Sequence, residues 1–230
     1  MIAATKQYYY ELQFKKEQLK VADEVKEYFE KAVSKAEEKF EAGDTGVSQS
    51  SLTKLKLGLS GTENDIIKLN SEMYLAKLSL GEMMGWKLTF DSEITDAKIS
   101  SLDFNFSKFD EYLISLNSQA GGVDGKPGKL SATKKDDVEE NFALRKGFIK
   151  VVENRDKMNL ANKQKKMTRA LLVTESANYD FGIGNGEDLF QALIIYTRVL
   201  SGYYESIYNF NMAVVNLDQI KAKIQGSSLF

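Results

Sequence analysis

The sequence predicts an all-α protein made of two long antiparallel coiled-coil helical hairpins, products of an internal duplication, with a small mixed segment between them. Three observations predict it. The first is repetition. Leu19-Lys20-Val21-Ala22 aligns with Met158-Asn159-Leu160-Ala161, Phe40 with Tyr179 and Gly43 with Gly182, at a constant offset of 139 (158 − 19, 179 − 40, 182 − 43). Past the glycines the offset becomes 137, pairing Leu52 with Leu189, Leu59 with Tyr196, Met73 with Phe210, Ala76 with Ala213 and Leu80 with Leu217. Two copies of a hairpin whose tips differ by two residues give this pattern. The second observation is that the chain has one proline, Pro127, outside both repeats; proline lacks the N–H and clashes with the preceding turn, so long helices exclude it. The third is the heptad pattern of the arms.

In the first hairpin, residues 1–86 with its tip at 41–51, the returning arm carries Leu52, Leu55, Leu59, Thr62, Ile66, Leu69, Met73, Ala76, Leu80 and Met83. The steps alternate three and four, the spacing of a coiled-coil seam. The second hairpin, 137–226 with its tip at 180–188, repeats the phase with Leu189, Ala192, Tyr196, Val199, Tyr203, Ser206, Phe210, Ala213, Leu217 and Ile220. The outgoing arms are weaker: Leu19, Ala22, Val25, Phe29, Ala32, Ala36 and Phe40, then Val152, Met158, Ala161, Leu172, Ser176 and Tyr179. Packing is the expected role of all these residues, and Leu59, Ile66, Leu69, Phe210 and Leu217 are expected to be buried between arms. An arm from Thr5 to Glu41 is about 55 Å long at helical rise. It needs a partner along its length, and seams on two hairpins of one chain predict lateral association into a wall or tube.

Residues 87–119 are the middle segment. Trp86-Lys87-Leu88-Thr89-Phe90 and Asp103-Phe104-Asn105-Phe106 alternate for a few residues and predict short strands. Ser107 to Leu116 predicts one short helix packing Phe109, Leu113 and Leu116. Residues 120–136, rich in Gly, Lys and Asp, read as a flexible linker.

Composition excludes several functions. The 31 basic and 33 acidic residues are spread along the arms, without the basic stripe that nucleic acid requires. Cysteine and histidine are both absent, which removes thiol chemistry and the commonest general base and metal ligand. No carboxylate pair stands out, so no catalytic residue, metal or cofactor is assigned and the chain is not expected to be an enzyme. The N-terminus MIAATKQYYYELQF lacks the pattern of a signal peptide, and no window reaches the roughly 20 apolar residues of a spanning helix.

The tips are the candidate functional residues. Gly43 and Gly182 stand where a helix C-cap needs positive φ, and Ser48 to Ser51 or Asn185 can N-cap the returning helix; after Gly43 the first tip runs Asp44, Thr45, Gly46, Val47 and Ser48. The second runs Gly182, Ile183, Gly184, Asn185, Gly186, Glu187 and Asp188, with Gln191 one turn on. Gly-Ile-Gly-Asn-Gly is no phosphate loop, because a helix precedes it and Glu-Asp follows instead of Lys-Ser/Thr.

Tyr179 and Gly182, a short turn, Asp188-Leu189 and Ala192, then Tyr203, Tyr208, Asn211, Ala213 and Leu217 together resemble the second hairpin of TolC-type outer-membrane efflux channels. YYYELQFKKEQLKVADE, KFEAGDTG and LAKLSLGEMMG look like the first half, so the resemblance covers roughly residues 5–86 and 140–225. It implies a homotrimer whose six hairpins form a periplasmic helical barrel, with 87–119 as its equatorial segment. The tips would meet a periplasmic adaptor (membrane fusion) protein and, through it, an inner-membrane pump; the location would be the periplasm and outer membrane of a Gram-negative bacterium. The family's D-x-x-D-A pore constriction matches at Asp188, while Gln191 replaces its second aspartate. The family also has barrel strands of roughly 9–11 alternating residues, and residues 87–139 show no such set. The alternative is a soluble coiled-coil scaffold used only for protein–protein interaction.

Overall fold

The structure, a computed structural model, describes residues 2–44, 46–93, 98–120 and 135–227. They form five helices: α1 (Ile2–Glu41), α2 (Gln49–Met84), α3 (Phe109–Ala120), α4 (Lys135–Phe181) and α5 (Gly186–Ser227). Pro127 lies outside the described residues, and so does most of the predicted linker. The protein is all-α, as the heptads and the scarcity of proline predict. Among the described residues no helix is long and apolar enough to cross a membrane, and no group of acidic side chains is arranged to hold a metal ion.

The duplication is visible in backbone geometry. Gly43 and Gly182 both have φ of 75°. In the first turn Gly43 N–H donates to Phe40 O and Asp44 N–H to Lys39 O; in the second, Gly182 N–H donates to Tyr179 O and Ile183 N–H to Asn178 O. These are the two bonds of a Schellman cap, made by equivalent residues. Gly85 closes α2 in the same way, with φ of 69°.

The chain divides into two compact units. The first comprises Met1–Ser100 and Met158–Tyr208. Its largest core gathers Val21, Val25, Phe29, Ala32 and Ala36 of α1, Leu52 and Leu55 of α2, Leu172 and Tyr179 of α4, and Leu189, Leu193, Tyr196 and Leu200 of α5. Small residues set the spacing here. A Cβ on Gly58 would lie 2.5 Å from the Phe29 ring and 3.1 Å from Phe190, so glycine lets α2 rest on both aromatics. Leu12 with Ala76 and Leu80 forms a second cluster, and Phe14 with Ile99 and Ile207 a third.

The second unit comprises Ser101–Lys157 and Asn209–Phe230. Phe104, Phe106, Tyr112 and Phe148 pack as an aromatic cluster with ring centroids 5.3 to 5.8 Å apart. The fully buried Asn211 accepts from Leu102 N–H at 2.8 Å, and Arg155 donates to Phe106 O at 2.8 Å. These bonds satisfy backbone groups that no helix or sheet pairs.

Two expectations are corrected. Residues 86–90 and 103–106 are not strands, and none occurs among the described residues. The first segment folds back on α2, with Trp86 N–H on Gly81 O and Lys77 Nζ on Phe90 O, while the second is held by side chains. Leu88 packs against the Leu12, Ala76 and Leu80 cluster while Trp86 and Phe90 stay exposed, and Phe104 and Phe106 pack against Tyr112 of α3. The seam also needs revision. Phe210 and Leu217 are buried, but Leu59, Ile66 and Leu69 are only half-covered, as is Leu19, and Phe40 is exposed. Beside Leu69, α1 and α2 turn Lys15, Gln18 and Asp65 toward one another in place of apolar side chains, so the seam opens. α5 also buries Leu193, Leu200, Ile207 and Val214, which lie off the predicted stripe, because it is covered on more than one side.

Candidate functional site

Both tips lie in the first unit and at one end of it. Tip one is built from local bonds: Asp44 Oδ1 accepts from Gly46 N–H at 2.8 Å, and Ser48 and Ser51 form a reciprocal capping box at the start of α2. Tip two uses the same device with other residues. Asp188 N–H donates to Asn185 Oδ1 and Asn185 Nδ2 donates to Asp188 Oδ2, both at 2.9 Å. Asp188 is therefore engaged in capping α5, where a carboxylate also meets the positive end of the helix dipole. Gly184 is required by a close approach, since a Cβ there would sit 2.9 Å from Asn178 Cβ.

Hairpin one supplies the cations that hold tip two. Lys35 donates to Asp180 O at 2.6 Å and to Tyr179 O at 3.3 Å, placing a positive charge on the last carbonyls of α4. Lys54 donates to Glu187 Oε2 in the first turn of α5, and Gln191 Nε2 donates to the other oxygen of Glu187 at 3.2 Å. The hydrogen bond from Lys54, then that from Gln191, holds the Glu187 carboxyl below its ordinary value. Tyr179 lies beneath this clasp. Its ring faces Lys35 and Lys39, and burial, then the charge of Asp180, raises its phenol.

Between the tips lies a pocket of about 140 Å³ whose walls include Lys39, Asp44, Val47, Tyr179, Gly184 and Asn185. Of the predicted tip residues, Asp44, Gly46, Val47, Gly182, Gly184, Asn185 and Gly186 meet at this pocket. Gly43 and Ser48 shape the first turn from outside it. Ile183 points to solvent at 79% exposure beside Phe181 at 82%. Asp188 and Gln191 stay exposed on α5, and Thr45 lies outside the described residues. Val47 also packs half-buried against the main cluster, so the first tip contributes to the core as well as to the pocket. The sequence reading missed Lys35 and Lys54. Nothing in their local sequence separates them from other solvent-facing lysines, since their partners are more than 130 residues away.

No protein-family model matches the sequence, and no curated protein matches it. Solved structures do. The chain is similar to the outer-membrane channel OprN (TM-score 0.73, 12% identity, 95% of this chain and 65% of that one). It is similar to CusC, described through the changes that accompany folding and transmembrane channel formation (TM-score 0.69, 11% identity, 95% and 67%). It is also similar to the Campylobacter jejuni CmeC outer membrane channel (TM-score 0.62, 13% identity, 95% and 61%). The chain thus spans about two thirds of the length of these channels. Its fold is that of the helical channel region of TolC-type outer-membrane efflux proteins.

Proposed function

We propose that this chain forms the periplasmic conduit of a trimeric outer-membrane efflux channel in a Gram-negative cell, and docks an adaptor protein through its paired tips. The observation that carries the reading is the shared fold over 95% of the chain. The surface supports it. α2 exposes Ile67, Tyr74 and Leu78, and α4 exposes Leu160, Met167 and Leu171, each set at spacings of seven and four. Two unlike apolar stripes on one chain suit a heterologous contact, which closes into a ring when repeated. Phe181 and Ile183, held out beside the tip pocket, are apolar knobs for an adaptor, with Gly182 to Glu187 and Gly43 to Ser48 as the surrounding surface. Asp188, three times around the axis of a trimer, with Gln191 beside it, is the proposed constriction; its cap with Asn185 fixes where that charge stands. The hairpins 1–86 and 137–226 are the proposed working halves, joined through 87–119 and 120–136.

Cysteine pairs test the assembly directly, because the natural chain has no cysteine. Ile67→Cys with Met167→Cys on one chain should give disulfide-linked dimers and trimers on oxidation, and monomers alone would refute the ring. Ile183→Asp should abolish adaptor capture while leaving that crosslinking intact. In a membrane-inserted channel, Asp188→Asn keeps the cap and removes the charge. Unchanged conductance and cation block in that variant would exclude the constriction.

A further inference from the structure

Asn185 and Gly186 form the one Asn–Gly step in the chain. With no side chain on the second residue, its backbone nitrogen can approach the preceding amide carbon closely. Every other asparagine lies inside a helix except Asn105, which Phe106 follows. In a helix the next nitrogen gives its proton to a carbonyl one turn back and is withheld. Gly186 is different. It begins α5, and among the described residues its N–H makes no hydrogen bond. The Asn185 side chain is exposed and both residues border the pocket between the tips, so water and hydroxide reach the pair. The cap that holds Asn185 also polarises it. Asp188 N–H lies 2.9 Å from its Oδ1, at the positive end of α5, where negative charge growing on that oxygen is stabilised.

We propose that Asn185 is a site of spontaneous covalent modification, converted by its own backbone to aspartate and isoaspartate. Hydroxide removes the Gly186 N–H proton, and that nitrogen bonds to Asn185 Cγ. The charge on Oδ1 rests on Asp188 N–H until the Cγ–Nδ2 bond breaks; Nδ2 takes a proton from water and leaves as ammonia. Water then opens the cyclic imide at either carbonyl, so the net change is amide plus water to carboxylic acid plus ammonia. The product carries a carboxylate where Asn185 Nδ2 had donated to Asp188 Oδ2 at 2.9 Å, and an attraction becomes a repulsion between like charges. The isoaspartate form also adds a carbon to the backbone ahead of α5. The second tip thereby gains negative charge and loses its fixed cap with age, whether or not the chain assembles as proposed above.

The 230-residue chain, incubated at mildly alkaline pH with and without urea, tests this through mass spectrometry of the tip peptide and enzymatic assay of isoaspartate. In the folded chain Asn185 should convert about tenfold faster than any other asparagine. Gly186→Ala should slow the conversion about tenfold, and it keeps the fold, because the new Cβ comes no nearer than 3.4 Å to Leu55. Asn185→Ser retains a capping hydroxyl and should abolish the acidic species altogether. That species, once isolated, should show shifted amide NMR signals from Gly186 to Leu189; unchanged signals would overturn the loss of the cap. Conversion no faster than at Asn105, an unaltered rate in Gly186→Ala, or a folded-state rate about tenfold below that in urea would each overturn the proposal, the last by showing that the cap protects the amide.

Discussion

The phenol of Tyr179 donates to the main-chain carbonyl of Ala32 across 3.1 Å, fastening the last turn of α4 to the C-terminal half of α1. The carbonyl already belongs to a helix, so the bond adds a second donor to an oxygen with a free lone pair. Only 5% of Tyr179 is exposed, which keeps water from replacing it. Tyr179→Phe removes the donor and keeps the ring. It should cost about 0.5–1.5 kcal/mol, seen as a lower midpoint of denaturant unfolding; an unchanged midpoint would show the bond to be idle.

Gly58→Ala should be costlier than an exposed helical glycine would imply. Alanine normally gains in a helix, but here the new methyl would meet the buried Phe29 ring at 2.5 Å. Phe29 is wholly buried, so its ring has little room to withdraw. Overpacking of this kind costs about 1–3 kcal/mol, and a stabilised Gly58→Ala variant would contradict the packing described.

Gly43→Ala and Gly182→Ala form a matched pair. Both positions hold φ of 75° in the same Schellman geometry, and no neighbour crowds either site. An L side chain in that region costs about 1–2 kcal/mol. The two losses in unfolding free energy should therefore be alike, and a clear inequality would mean that one tip relaxes where its copy does not.

Alkaline pH should destabilise the protein through its buried phenols. Burial, followed by the charge of Glu17, pushes Tyr204 up to about 12, and burial, followed by Asp218, does the same for Tyr112. Each folded-state value exceeds the 10.0 of a free tyrosine, so the neutral form is favoured by folding. That stability is fully present below pH 10 and lost as pH rises toward 12. Unfolding midpoints measured across this window should fall, while Tyr204→Phe should flatten the dependence.

Leu193→Ala and Leu69→Ala separate the observed core from the expected seam. Leu193 is wholly buried in the main cluster and should cost about 2–5 kcal/mol. Leu69 is half-covered and borders the open groove lined by Lys15, Gln18 and Asp65, so its truncation should cost clearly less in the single chain. Equal losses would restore the expected seam.

The sequence by itself determined the helices, their antiparallel pairing about two glycine turns and the duplication that relates them. These features are local or periodic: a proline-free heptad run makes a helix, and a glycine at a C-cap ends it, whatever surrounds them. It also marked the tips, because Gly43, Gly182, Ser48 and Asn185 announce turns and caps through their own backbone chemistry. Tertiary structure alone decided which seam positions are covered. Leu69 lies on the predicted stripe and Leu193 off it, yet the closer packing of other helices around α5 buries Leu193 and leaves Leu69 half-covered. The same holds for Lys35 and Lys54, which become a clasp because folding brings them to Asp180 and Glu187. The aromatic residues near 86–90 and 103–106 misled for the same reason: alternation reports that side chains point two ways, while the partner surface, a sheet or a helix, lies elsewhere in the chain.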